Sequence, residues 1–73
     1  MTTKDWFDIY DAGFYMLQDF ILEHYSPDII LQLEYYREQE DIISILKTLY
    51  PIFKENKHLI SPTTWERMLA ALN

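Results

Sequence analysis

Three groupings of residues have types and spacings that chemistry could use. Glu55-Asn-Lys-His58 matches Glu-x-x-His, which on a continuous helix sets a carboxylate and an imidazole on one face, as in the di-metal sites of helical bundles. Such sites need two copies and further inward-facing carboxylates. This chain has one copy in a lysine-rich stretch, so no metal is expected. Glu38, Glu40 and Asp41 form an acidic cluster that could supply a catalytic carboxylate. Carboxylate catalysis also needs a pocket that desolvates one of the acids, and Arg37-Glu-Gln-Glu-Asp41 contains no apolar residue. The cluster therefore reads as a solvated bend. Ser26 and Ser61 each precede a proline, and this pattern marks helix caps rather than nucleophiles. With no cysteine, thiolate chemistry, disulfides and thiolate metal sites are excluded. The one glycine, Gly13, lies inside a helical pattern, which leaves no glycine loop to cradle a phosphate. The chain is expected to be no enzyme and to use no cofactor.

What remains is a surface. Within residues 5–25, at about 100° per residue, Asp8, Asp11, Tyr15, Asp19, Leu22 and Glu23 share one arc of a helix. Carboxylates one turn apart repel by about 0.2–0.5 kcal/mol per pair. Folding gains nothing from them, whereas a binding partner could. Tyr15 and Leu22 among the acids suit a protein interface better than a purely solvated face. Tyr35 and Tyr36 beside Glu38, Glu40 and Asp41 repeat the mixture. The expected partner-binding surface therefore comprises Asp8, Asp11, Tyr15, Asp19, Leu22, Glu23, Tyr36, Glu38, Glu40 and Asp41. The competing role for the same residues is to keep the domain soluble.

Charge points to the kind of partner. The 73 residues carry a net charge of −6. Residues 1–41 hold ten acids against Lys4 and Arg37, a net of −8, while residues 42–73 hold Lys47, Lys54, Lys57 and Arg67 against Glu55 and Glu66, a net of +2. Such a field disfavours nucleic acid and anionic membranes as direct ligands and favours a protein with a basic surface. The function expected is a small acidic protein-binding module. It would inhibit or regulate by occupying the basic surface of a nucleic-acid enzyme or regulator, with imitation of nucleic acid as a special case. A second reading is an obligate homo-oligomer, a dimer being the simplest, with a structural or assembly role. Only about 60% of the unfolded surface can be buried at this size, and 16% of the residues are aromatic. Met1-Thr-Thr-Lys-Asp5 lacks the charged-then-apolar order of a secretory leader, and a cytoplasmic protein is expected.

The elements that must position this surface are helices. A single all-α domain spanning 1–73 is predicted, a small bundle of about four helices at 5–24, 27–37, 41–56 with a kink at Pro51, and 62–72. The long first helix organises the rest. Its apolar residues form two stripes, Phe7, Tyr10, Phe14, Leu17 and Ile21 beside Trp6, Ile9, Gly13, Met16 and Phe20. A face this wide is expected to be covered by two or more segments. Gly13 costs about 1 kcal/mol relative to alanine inside a helix, so close approach of another element to its backbone is expected. Tyr25-Ser-Pro27 and Ile60-Ser-Pro62 have the grammar of helix starts. Between them the apolar phase changes across 37–41, which predicts a bend with Asp41 capping the next helix. Trp65, Met68, Leu69 and Leu72, at i, i+3, i+4 and i+7, define the inner face of the last helix.

Overall fold

The computed structural model describes all residues from Met1 to Asn73. The fold is all-α: α1 is Thr3–His24, α2 Pro27–Glu38, α3 Ile42–Glu55 and α4 Pro62–Leu72, with a short 3-10 turn at Lys57–Leu59 and no strand. No helix is long and apolar enough to cross a membrane. The chain divides into two units, Met1–Ile42 and Ile43–Asn73.

The first unit is built on α1. It starts two residues earlier than the sequence pattern predicts, because Thr2 and Asp5 form a capping box. The Asp5 amide donates to Thr2 Oγ1 at 3.2 Å, and the Thr2 amide donates to Asp5 Oδ2 at 3.0 Å. Two helix-start donors are thereby satisfied, and they hold the Asp5 carboxyl below its ordinary pKa. At the other end α1 stops at Tyr25, and Ser26 caps α2 by accepting from the Asp28 amide, with Pro27 in the first turn. A two-residue connection folds α2 back along α1. In this unit Trp6, Tyr10, Ile21, Ile30, Leu33 and Ile42 are buried, Ile21 and Leu33 completely.

Two expectations for α1 are overturned. The second apolar stripe is not covered in its middle: Ile9 is 46% exposed and Met16 82%. Burial follows the stripe centred on Tyr10 and Ile21, with Phe7, Phe14 and Leu17 half-buried beside it, while the second stripe is covered only at its ends, where Trp6 is buried and Phe20 half-buried. Within this unit α2 covers an arc of α1 narrower than its apolar composition would fill. For the same reason nothing approaches Gly13. A Cβ placed there would meet no atom within 4 Å, so the glycine is not kept for packing.

The predicted bend at 37–41 closes α2. The Glu40 amide donates to the Arg37 carbonyl at 3.1 Å and the Asp41 amide to the Tyr36 carbonyl at 2.9 Å. This is the paired hydrogen-bond pattern of a Schellman motif, in which the residue after the cap takes the left-handed conformation. That residue is Glu40, with φ 54°, where glycine is the usual occupant.

In the second unit, α3 runs unbroken through Pro51. Proline removes the donor to the carbonyl one turn back, that of Lys47. Both residues are exposed, and water can serve that carbonyl. Ile45, Leu46, Leu49 and Ile52 line the buried face. The helix ends where the Asn56 side chain donates to the Ile52 carbonyl at 2.9 Å. Ser61 caps α4, accepting from the Thr64 amide at 3.2 Å. From α4, Met68 is fully buried, while Trp65 stacks on Tyr50 with ring centroids 5.4 Å apart.

Candidate functional site

The candidate surface lies on the first unit, and the structure divides its acids into paired and unpaired ones. Asp8 accepts from Lys4 Nζ at 2.9 Å across one turn, which raises the lysine pKa. Asp11 is engaged more firmly. Arg37, 26 residues away, donates from Nε and Nη2 to its two carboxylate oxygens at 3.1 and 3.0 Å. The same guanidinium lies 4.2 Å from the centre of the Phe7 ring. A two-pronged ion pair together with a cation–π contact ties the end of α2 to the first half of α1. The Asp11 charge therefore has an internal use.

Asp19 makes no ion pair, and the nearest basic side chain to Glu23 is the His24 ring, its Nε2 3.9 Å away. Around them the apolar members of the arc are open: Tyr15 is 79% exposed and Leu22 49%. At 100° per residue Asp8, Asp19 and Glu23 lie in the middle of this outer face. Tyr15 and Leu22 flank them on one side, Ile9 and Met16 on the other. Glu38 and Glu40 are exposed at the end of α2 with no ion pair, and Tyr35 is 59% exposed against Tyr36, which is half-buried. Asp41 is half-exposed in the bend.

Between α1 and α2 an open groove of about 360 Å³ runs beside the Arg37 pair. Tyr10, Phe14 and Tyr15 line it from α1, and Glu34 and Glu38 from α2. Tyr10 is only 8% exposed, and its hydroxyl, closed to solvent, has no hydrogen-bond partner. A buried unpaired polar group costs about 1–3 kcal/mol. Burial first, then the Asp11 and Glu34 carboxylates, push the Tyr10 hydroxyl up to about 12, opposed by Arg37.

Comparison with family models, curated proteins and solved structures finds no match to this chain. The functional reading rests on the residues alone.

Sequence reasoning placed Tyr10 and Phe14 on the inner stripe but missed the groove. Glu34 entered it only as one of the ten acids, and Arg37 only as a cation at the start of the polar bend. The available signal was faint: Glu34 and Glu38 are like charges one turn apart, which α2 has no reason of its own to keep. Glu55 and His58 are also clarified. Glu55 is the last residue of α3 and His58 sits in the following 3-10 turn, so the two do not share a helix face. No group of three or more potential ligands stands together anywhere in the chain.

Proposed function

We propose that this protein is a small acidic binding module that acts by occupying a basic surface on another protein, with a nucleic-acid enzyme or regulator as the class of partner its charge suits. The observation that carries this reading is the outer face of α1, where Asp8, Asp19 and Glu23 stand among the open side chains of Tyr15, Leu22, Ile9 and Met16. An interface that uses charge for steering and a few desolvated apolar side chains for affinity needs this mixture. Glu40 adds to it. A glutamate is held in a left-handed conformation that glycine would adopt without strain, so its side chain is kept at a cost to folding.

The test is retention of a basic protein from extract at low salt by the immobilised chain, followed by an affinity measurement on the purified partner. The triple variant Asp8→Asn, Asp19→Asn, Glu23→Gln leaves the Asp11–Arg37 pair intact. It is expected to weaken binding at least about tenfold and to flatten the salt dependence. Unchanged affinity in that variant would end the proposal.

A second reading is self-association through the uncovered strip of Ile9, Gly13 and Met16, favoured by the 82% exposure of Met16. Two copies meeting there would bring their acids together, which opposes it. Self-association predicts a melting temperature that falls on dilution.

A further inference from the structure

We propose that the open strip of α1 around Gly13 is the seat of a basic amphipathic α-helix presented by the partner protein. One apolar side chain of that helix enters the recess between Ile9 and Met16, and its cations face the acids beside the strip. Ile9, Ala12, Gly13 and Met16 stand at i, i+3, i+4 and i+7, and all four are exposed. This is the spacing of the four residues that form the hole for a knob when two helices pack. The hole is open, with small residues at its centre and long ones at its two ends. Gly13 is a second, separate observation. It weakens α1 by about 1 kcal/mol relative to alanine, and a Cβ there would meet nothing within 4 Å, so no contact inside the chain calls for it. A helix lying across that point does, because without a side chain between them two helix axes can approach to about 8 Å, the short end of the packing range. Ile9, 46% exposed, and Met16, 82% exposed, leave water in the same step.

Charge decides what kind of helix fits. Asp5, Asp8, Asp19 and Glu23 all fall on the side of the strip turned away from Tyr10 and Ile21, within about 80° of Met16 at 100° per residue. Lys4, paired with Asp8 at 2.9 Å, is the one cation among them and leaves a net of −3. From residue 5 to residue 23 the row runs about 27 Å along the helix axis, the length of about five turns of a partner helix. An acidic helix, an anionic membrane or a second copy of this chain brings like charge to that row. A helix with apolar residues at intervals of three and four and cations along one flank matches both the strip and the row.

This inference rests on the binding-module reading and identifies the element by which the partner docks. Its probe is a blocked three-heptad peptide with leucine at the a and d positions and lysine and alanine elsewhere. Two controls accompany it, one with glutamate in place of lysine and one of unchanged composition with its leucines dispersed around the helix. The full chain is titrated with each while backbone amide shifts are recorded. The lysine peptide is expected to move Ile9, Ala12, Gly13 and Met16 at micromolar concentration. The glutamate peptide should leave the shifts unmoved, and the dispersed peptide should bind at least about tenfold more weakly. Gly13→Leu fills the hole without altering charge, and at an exposed helical position it favours folding. It should weaken the lysine peptide at least about tenfold while raising the melting temperature. Gly13→Ala, which fills less of the hole, should fall between Gly13→Leu and the parent.

Equal affinity of the lysine peptide for the parent and Gly13→Leu, equal binding of the dispersed peptide, or shifts confined to other parts of the chain would overturn the assignment. A melting temperature of the chain alone that falls on dilution would give the strip to a second copy and overturn it as well. The binding-module reading fails separately. If Gly13→Leu leaves the affinity for a purified basic partner intact while Asp8→Asn, Asp19→Asn, Glu23→Gln abolishes it, only the helix seat is lost.

Discussion

Replacing Glu40 by glycine should stabilise the protein, and the structure gives the size of the effect. Glu40 closes α2 with φ 54°, and its amide and that of Asp41 are both bonded back to the last turn. The bend is therefore a required shape and not a loose end. An L residue in the left-handed region carries about 1–2 kcal/mol of strain. Glycine removes that strain but loses more chain freedom on folding, about 0.5–1 kcal/mol. The balance favours glycine by about 0.5–1 kcal/mol, which in a domain of this length raises the melting temperature by about 2–8 °C. Part of any gain could come from deleting one acid beside Glu38 and Asp41. Glu40→Ala separates the two effects, because it deletes the charge and keeps the Cβ in the strained conformation. Thermal unfolding followed by circular dichroism should place the glycine variant clearly above both the alanine variant and the parent. Glycine and alanine variants melting together would refute the argument, since the gain would then be electrostatic. On the binding-module reading the glycine variant should also bind a basic partner less tightly, so stability and binding would move in opposite directions.

Gly13→Ala should stabilise α1 by about 1 kcal/mol by restoring helix propensity, because a methyl group there meets nothing within 4 Å; an unchanged or lowered chemical-denaturation midpoint would contradict the open surface. Tyr10 gives an alkaline limit. Its hydroxyl keeps its proton in the folded state up to about pH 12, while an unfolded tyrosine releases it near pH 10. Its contribution is therefore fully present below about pH 10 and is lost as pH rises through about 12. In Tyr10→Phe, stability measured by denaturant titration should decline less over that range and be no lower at neutral pH. Arg37→Leu should cost about 1–2 kcal/mol, combining a partly exposed two-pronged ion pair with the contact over Phe7. Arg37→Lys should recover less than half of that loss, read from the same unfolding curves, because one ammonium cannot fork onto both oxygens of Asp11.

Most of the helical plan was legible in the chain because its signals are local. Ser26-Pro27 and Ser61-Pro62 announce helix starts whatever surrounds them, since a cap hydroxyl and a preset proline φ act within one turn. The change of apolar phase across Arg37–Asp41 marked the bend, and the wide inner arc of residues 5–24 marked the dominant helix. The acidity of residues 1–41 is a property of composition alone.

Other features depended on which surfaces meet. Periodicity counted Ile9, Gly13 and Met16 as inner residues, because it registers hydrophobicity and not the width of the neighbour available to cover it. Only the placement of α2 showed that α1 keeps an open apolar strip. Asp8 and Asp11 looked alike in sequence. Folding gave one a neighbour on its own helix and the other an arginine 26 residues away, a pairing that no local spacing encodes. The orphaned hydroxyl of Tyr10 and the groove beside it exist only where α2 lies along α1. Sequence thus determined the helices and the sign of the charge, both set by interactions within a few residues. Tertiary structure decided that Asp11 is neutralised while Asp19 stays unpaired, because that depends on long-range pairing between helices.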